Sequence, residues 1–137
     1  MLFSIIIPAY NAASSLPETL SSIYQQTYDG YEIILINDGS ADATESVCKV
    51  FCESHNNTHY VRQNNMGVYE ARRKGAEISA GDYLVFVDAD DSLRFDTLSI
   101  LAREIDKYNP DIICFSYTRT FLPFSGSSLM TGACHHL

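Results

Sequence analysis

Three carboxylates crowd into four consecutive residues of the chain, Asp88-Ala89-Asp90-Asp91. Carboxylates this close together repel one another unless a positive charge lies among them. Hard oxygen ligands suit Mg²⁺ or Mn²⁺, which proteins usually hold with one or two carboxylates and the phosphates of a substrate. A structural alternative is that Asp90 or Asp91 caps the following helix, but a cap needs only one acid. The cluster therefore favours a divalent metal site.

Three further polar clusters follow apolar runs earlier in the chain. They are Pro8-Ala9-Tyr10-Asn11, Asn37-Asp38-Gly39-Ser40 and Gln63-Asn64-Asn65. Each one alone fits ordinary turn chemistry, because Asn, Asp, Gly and Ser are the residues that turns use. Open α/β sheets bind ligands beyond the carboxyl ends of their strands, at the point where the strand order reverses. If the apolar runs are parallel strands, all four clusters converge on one cleft.

The apolar pattern predicts such strands. Short unbroken apolar runs alternate with stretches of helical period, which is typical of a parallel sheet covered on both faces. We predict a doubly wound α/β fold with a mainly parallel sheet in the order 3-2-1-4, a fifth strand, and helices on both faces. Strand three is the least apolar and is placed at an edge. The predicted strands are 4–7, 32–36, 59–62, 83–87 and 111–115, and the predicted helices are 16–24, 42–54, 67–78 and 95–107.

Capping boxes and domain limits complete this prediction. Ser15 with Glu18, and Asp42 with Glu45, have the spacing of capping boxes at the first two helices.

A chain of 137 residues with 46% hydrophobic residues is the size of one domain and is not disordered. The regular pattern stops after Tyr117, so we expect a domain over 1–117 and an irregular tail over 118–137. A fold that stops so soon after its fifth strand is expected to be truncated.

The charge balance limits the partners. The chain has 9 Lys+Arg against 17 Asp+Glu, a net charge of −8 and a pI near 4.7. Such a surface repels nucleic acid and anionic lipid, so an anionic ligand would need a bound cation or a helix N-terminus. No apolar run approaches the length of a membrane span, and the start of the chain does not read as a signal peptide. We expect a cytoplasmic protein, held at the inner face of the membrane, if at all, through partners.

Two familiar sites are rejected on spacing. Cys48, Cys52, His55 and His59 resemble a zinc pattern, but the two residues between the pairs are too few to fold around a metal. The glycine-rich loops that bind dinucleotides or nucleoside triphosphates are also missing from the sequence. A nucleotide held through a carboxylate-bound cation remains.

The motifs resemble those of the family 2 glycosyltransferases of GT-A fold. The resemblance runs from about residue 3 to residue 116. It rests on four segments in order, the last of which includes a DXD-type motif: 4–11 (SIIIPAYN), 36–42 (INDGSAD), 65–75 (NMGVYEARRKG) and 81–91 (GDYLVFVDADD).

The resemblance implies roles for the matching positions. The expected nucleotide-binding residues are Pro8, Ala9, Tyr10, Asn11, Asp38, Arg72, Asp88 and Ala89. Among them, Asp38 would accept a hydrogen bond from a uracil N–H and Asp88 would contact the ribose. Asp90, with Asp88 as a second candidate, would hold Mg²⁺ or Mn²⁺. Asp91 would face the sugar or cap a helix, and Arg72 has the alternative of being a solvated helix charge.

The resemblance also implies an activity, which is inverting transfer of a sugar from a UDP-sugar to a glycan acceptor in polysaccharide biosynthesis. The general base of the family lies in the second half of the domain, so no catalytic residue is assigned in this chain. Two alternatives stay open: a nucleotidyltransferase, and a non-catalytic interaction domain with a degenerate site. The flank beyond strand four or five is expected to be unpaired, which favours a homodimer.

Overall fold

The computed structural model describes residues 1–114 of the chain. Four strands and four helices alternate through these residues. The strands are β1 (Phe3–Ala9), β2 (Tyr31–Asp38), β3 (Thr58–Gln63) and β4 (Tyr83–Phe86), and the helices are α1 (Leu16–Tyr24), α2 (Thr44–Ser54), α3 (Val68–Ile78) and α4 (Thr97–Tyr108). The chain divides into two compact units, Met1–Ser99 and Ile100–Leu137, and the sheet lies in the first.

The strands form one parallel sheet in the order β3-β2-β1-β4, which confirms the predicted order. β1 is buried along its whole length, because it has a neighbouring strand on each side and apolar residues on both faces. β3, the least apolar strand, lies at an edge as predicted. The strand order reverses between β1 and β4, so the expected ligand site lies beyond the carboxyl ends of these two strands.

Helix α3 covers one face of the sheet. Ile6 of β1 and Ile34 of β2 are in register, and with Ile36 they form a buried cluster against Ala71 of α3. One helical turn further on, a Cβ built at Gly75 would lie 2.4 Å from Cγ2 of Ile6. The close approach of α3 to the sheet therefore requires glycine at this position.

Helices α1 and α2 cover the opposite face. The Tyr24 hydroxyl at the end of α1 shares a 2.6 Å hydrogen bond with Oγ1 of Thr58, which is in register with Ile33. The Tyr24 ring stacks on Phe51 of α2 and on His55, with ring centroids 5.9 and 3.6 Å away. Burial raises the pKa of Tyr24 to about 12. The prediction of helices on both faces is thus confirmed.

The residues of the rejected zinc pattern belong largely to this packing. Cys48 lies fully buried on α2, and burial raises the pKa of its thiol to about 12. His55 is part of the ring stack and its Nδ1 lies 3.1 Å from the carbonyl oxygen of Phe51. A buried, protonated thiol is a poor metal ligand.

Both predicted capping boxes are wrong. Ser15 is the N-cap residue of α1, but its side chain makes no capping bond and its hydroxyl donates to a preceding backbone carbonyl. The N-cap of α2 is Ala43 rather than Asp42. The Asp42 carboxylate instead accepts hydrogen bonds from Thr44 and from the backbone N–H of Ala13, and the Thr44 hydroxyl lowers the pKa of Asp42. A tertiary contact with Ala13 competes with the cap at Asp42, whereas the Ser15 hydroxyl bonds to the nearby carbonyl of Ala12.

The fifth strand is not observed in the part that is described. Residues 111–114 form no strand, and Phe115 lies outside the described residues, as do the predicted domain limit at Tyr117 and the tail over 118–137. Within residues 1–114, no helix is long and apolar enough to cross a membrane.

Replacing Gly75 by alanine should destabilise the fold by about 1–3 kcal/mol, the usual cost of overpacking a core. The loss is expected although alanine favours a helix over glycine by about 1 kcal/mol, because the added methyl group would clash with Ile6. Urea unfolding of Gly75→Ala, Ile6→Ala and the double variant tests this expectation. Ile6→Ala makes room for the methyl, so the double variant should lose less stability than the two single losses added together. A Gly75→Ala protein as stable as wild type would contradict the close packing.

Candidate functional site

The turn after β1 is joined to the turn after β2. Asn11 follows β1 with a positive φ of 48°. Its backbone N–H donates to Oγ of Ser40 at 3.0 Å, and its Oδ1 accepts from the N–H of Ala41 at 2.8 Å. The side chain of Asn11 thereby links the turn after β1 to the turn after β2. Asparagine suits this position because it tolerates a left-handed backbone conformation better than most residues.

Asp38 joins the end of β2 to the start of α3. Its side chain is buried, and Oδ1 accepts hydrogen bonds from Nε2 of Gln63 at 2.8 Å and from the N–H of Met66 at 2.9 Å. Oδ2 accepts from the N–H of Gly67 at 2.8 Å. Since Gly67 is the N-cap residue of α3, the carboxylate lies at the positive end of the helix dipole. Asp38 thus anchors the loop that leads into α3.

The turn after β2 packs against the turn after β3 at Gly39. Gly39 has a φ of 72°, and a Cβ at this position would lie 2.7 Å from the backbone nitrogen of Asn65. The clusters after β2 and β3 therefore contact each other directly, as the sequence predicts.

A cleft of about 420 Å³ lies beyond the carboxyl ends of β1 and β4, at the point where the strand order reverses. It is lined by Pro8, Tyr10, Asn11, Ala12, Ser15, Val68, Arg72, Asp88, Ala89 and Asp90. Seven of these are predicted site residues, namely Pro8, Tyr10, Asn11, Arg72, Asp88, Ala89 and Asp90. Three predicted residues do not line the cleft: Ala9, which is buried in β1, Asp38, which is buried beneath the α3 loop, and Asp91.

Three residues of the cleft were not predicted as site residues, namely Ala12, Ser15 and Val68. Ser15 precedes α1, and Val68 opens α3 with half of its surface exposed. Val68 precedes Arg72 by four residues, so both lie on one face of α3. This spacing could have identified Val68 as a cleft residue, because the sequence already placed Arg72 on the predicted helix 67–78.

Arg72 is not a freely solvated helix charge. Its Nη2 donates to Oδ1 of Asp88 at 2.6 Å across the cleft. Its Nε is buried and has no hydrogen-bond partner within the described residues. Arg72 is thus held within the cleft by an ion pair, and its role toward a nucleotide stays a prediction.

The three acids after β4 are all exposed, but only Asp88 and Asp90 line the cleft. Within residues 1–114 no donor reaches the Asp90 carboxylate. Partial desolvation, followed by the charges of Asp90 and Asp88, raises the pKa of Asp91. Asp91 does not cap a helix, because α4 begins only at Thr97. The helix-cap alternatives for Asp90 and Asp91 are therefore wrong.

The residues present fit a divalent cation only in partnership with a ligand. Within residues 1–114, no group of three or more His, Cys, Asp or Glu side chains could hold a metal ion by itself. Asp88 and Asp90 supply hard carboxylate oxygens on one side of the cleft. Mg²⁺ is commonly held by one or two carboxylates completed by substrate phosphates, and this donor set matches that pattern.

The parallel sheet in the order β3-β2-β1-β4 and the cleft at its switch point define a doubly wound α/β domain with a ligand site. The family described as "Glycosyl transferase family 2" matches residues 4–132, and the chain belongs to this family. Both parts of the predicted resemblance, the family and the fold, are confirmed.

Relatives and solved structures agree with this assignment. Glycosyltransferase GlyA of Streptococcus pneumoniae is 39% identical over 114 residues, which are 83% of this chain and 16% of GlyA. Glycosyltransferase YibD of Escherichia coli, itself described as uncharacterized, is 39% identical over 106 residues, which are 75% of this chain and 31% of YibD. The chain thus spans about a third or less of these two relatives.

Two solved structures resemble the fold closely. S. aureus TarS in complex with UDP has a TM-score of 0.76 and 28% identity, covering 81% of this chain and 34% of that one. Mannosyltransferase PcManGT from Pyrobaculum calidifontis, in complex with GDP-Man and Mn²⁺, has a TM-score of 0.73 and 25% identity, covering 79% of this chain and 33% of that one.

Proposed function

We propose that this chain is the part of a glycosyltransferase that binds the sugar donor. The donor is a nucleoside-diphosphate sugar, specifically a UDP-sugar, and it binds together with Mg²⁺ or Mn²⁺. The observation that carries the proposal is the cleft at the switch point, where Asp88 and Asp90 face Tyr10 and Arg72. Membership of family 2 and the UDP complex of TarS support the nucleotide. The GDP-Man and Mn²⁺ complex of PcManGT supports the cation.

Each cleft residue has a role in this proposal. Pro8 and the half-exposed ring of Tyr10 offer an apolar surface for the base, while Asp88 accepts from a ribose hydroxyl. Asp90, and Asp88 as a second ligand, would hold the cation. When bound, the cation supplies Lewis-acid stabilisation of the leaving diphosphate. Asn11 and Ala89 shape the wall between these parts.

Within the described residues, the Asp38 carboxylate has one lone-pair site that accepts no hydrogen bond. An ionised carboxylate offers about four lone-pair sites, and the three hydrogen bonds from Gln63, Met66 and Gly67 occupy three of them. The remaining site is on Oδ2, which accepts a single bond. Asp38 therefore acts first by holding the loop before α3. Its contact with a uracil N–H stays a prediction, because Asp38 is buried and does not line the cleft.

Transfer requires more than this cleft contains. Its acids are Asp88 and Asp90, and both are given to the nucleotide and cation, so no acid lining it is free to deprotonate an acceptor. We propose that the binding site for the glycan acceptor and the general base of an inverting reaction are contributed by a part of the complete enzyme outside residues 1–114. By itself the 137-residue chain should bind a UDP-sugar without transferring it, because general-base help alone is typically worth about 10²–10⁴-fold.

Comparing nucleotides separates this proposal from its alternatives. In calorimetric titrations with Mn²⁺, UDP should bind at least as tightly as UTP, because the cleft has no basic glycine-rich loop for a third phosphate. A clear preference for UTP would favour a nucleotidyltransferase. Failure of both to bind would favour a non-catalytic interaction domain, and sugar transfer by the chain alone would refute the missing base.

We also propose self-association through β4. Two large apolar side chains of this strand, Leu84 and Phe86, are 41% and 47% exposed. Exposed apolar side chains that lie together favour association with a second chain. Light scattering should give a dimer mass that reverts to a monomer in Phe86→Lys, and a wild-type monomer would contradict it.

A further inference from the structure

We infer that Arg72 is a resident counter-charge for Asp88, which gives way only when a divalent cation and a diphosphate arrive together. The inference rests on the proposed function and deepens it. It concerns the order of binding: the cation alone should bind weakly, although two carboxylates face the cleft.

The contact geometry divides the two carboxylates. Nη2 of Arg72 lies 2.6 Å from Oδ1 of Asp88, and these side chains are 39% and 50% exposed. Asp90 lines the same cleft and has no such partner among residues 1–114. A cation entering alone therefore meets one free carboxylate and a fixed positive charge, since the second carboxylate is already neutralised.

The arginine is poorly satisfied in this position. Its Nε is buried without an acceptor, and a buried unpaired donor destabilises the arrangement. A ligand that takes over Asp88 frees the guanidinium to turn toward new acceptors. Diphosphate oxygens are suitable partners, because guanidinium groups bind phosphate in charge-assisted, often bidentate, hydrogen bonds.

Exchange of partners then makes the two ligands depend on each other. The diphosphate brings negative charge that attracts both the cation and the released Arg72, whereas either ligand alone leaves one like-charge contact in place. In a chain of net charge −8, exposed carboxylates would otherwise attract cations without nucleotide. In the cleft, the positive charge of Arg72 opposes the binding of a cation in the absence of nucleotide.

Mn²⁺ binding in the absence of nucleotide tests the inference. Titrations followed by the electron paramagnetic resonance signal of free Mn²⁺ compare wild type with Arg72→Gln and with Arg72→Met, which keeps an apolar stem. Removal of a positive charge next to the ion should tighten Mn²⁺ binding about tenfold. Arg72→Lys keeps the charge and should stay as weak as wild type.

Arg73→Gln is the matched control. Arg73 is the next residue of α3, does not line the cleft, and is paired with Glu70 and Glu77 on its own helix. It removes the same charge and should leave Mn²⁺ binding near the wild-type value. Circular dichroism identifies any variant that fails to fold. If Arg72→Gln fails to fold, Arg72→Met provides the test.

Mn²⁺ binding that is no tighter in either uncharged Arg72 variant, or equally tighter in Arg73→Gln, would overturn the inference. Because these titrations contain no nucleotide, their outcome is independent of the proposed function. That proposal fails separately, if UDP does not bind to the wild-type chain in the presence of Mn²⁺.

Discussion

Asp38→Ala should lower the free energy of unfolding by about 2–5 kcal/mol. The substitution removes the acceptor of three part-buried hydrogen bonds, which come from the N–H groups of Met66 and Gly67 and from the Gln63 amide. Hydrogen bonds to charged groups typically contribute about 1.5–3 kcal/mol each, and access of water to the freed donors keeps the total loss near the lower end of their sum. The loss would be a large part of a total stability of about 5–15 kcal/mol.

Urea unfolding measures this loss, with Asp29→Ala as the control. Asp29 is an exposed aspartate at the turn before β2, and within residues 1–114 no donor is bonded to its carboxylate. The control should change stability by less than about 0.5 kcal/mol, as surface substitutions usually do. If Asp38→Ala is as stable as Asp29→Ala, the carboxylate does not hold the loop before α3.

Asp90→Asn should weaken UDP binding in Mn²⁺ on the order of tenfold to a hundredfold, the scale of loss when a metal site is disturbed. Asp90 faces the cleft with no partner inside residues 1–114, so its charge is available to a cation. In the presence of a chelator the same substitution should change UDP binding little, because no direct contact to the nucleotide is removed.

Asp91→Asn is the neighbouring control for this measurement. Asp91 does not line the cleft, although its pKa is raised by burial and by the two nearby acids. It should retain most of the affinity for UDP in Mn²⁺. Equal losses for Asp90→Asn in Mn²⁺ and in chelator would show that Asp90 contacts the nucleotide or the fold, and would remove it from the cation site.

The sheet could be predicted because its signal is strong and simple. β1 and β2 are nearly continuous apolar runs, as strands buried on both faces must be, and the polar β3 falls at the edge. Right-handed crossovers then leave few possible orders. The strand-end clusters were predictable for the same reason, since the topology alone brings them to one edge.

The remaining errors arise where tertiary contacts compete with local patterns. Asp42 has the spacing of a capping box with Glu45, yet its carboxylate bonds to Ala13 of a distant turn and α2 begins later. The anchoring role of Asp38 depends on residues 25 to 29 positions away, which no local spacing reveals. Asp38 could be identified as a site residue, but its partners could not.

Some predictions remain predictions. They are the cytoplasmic location, the glycan acceptor, the inversion of configuration and the contact of Asp38 with uracil.

Calorimetric titration of the wild-type chain with UDP, once with Mn²⁺ and once with a chelator, tests whether the cleft between β1 and β4 binds a nucleoside diphosphate through a cation held by Asp90 and Asp88. We expect measurable binding in Mn²⁺ and at least about a tenfold loss of affinity in chelator, since the net charge of −8 then opposes the diphosphate. Absence of UDP binding in Mn²⁺, or equal affinity under the two conditions, would contradict binding through a cation.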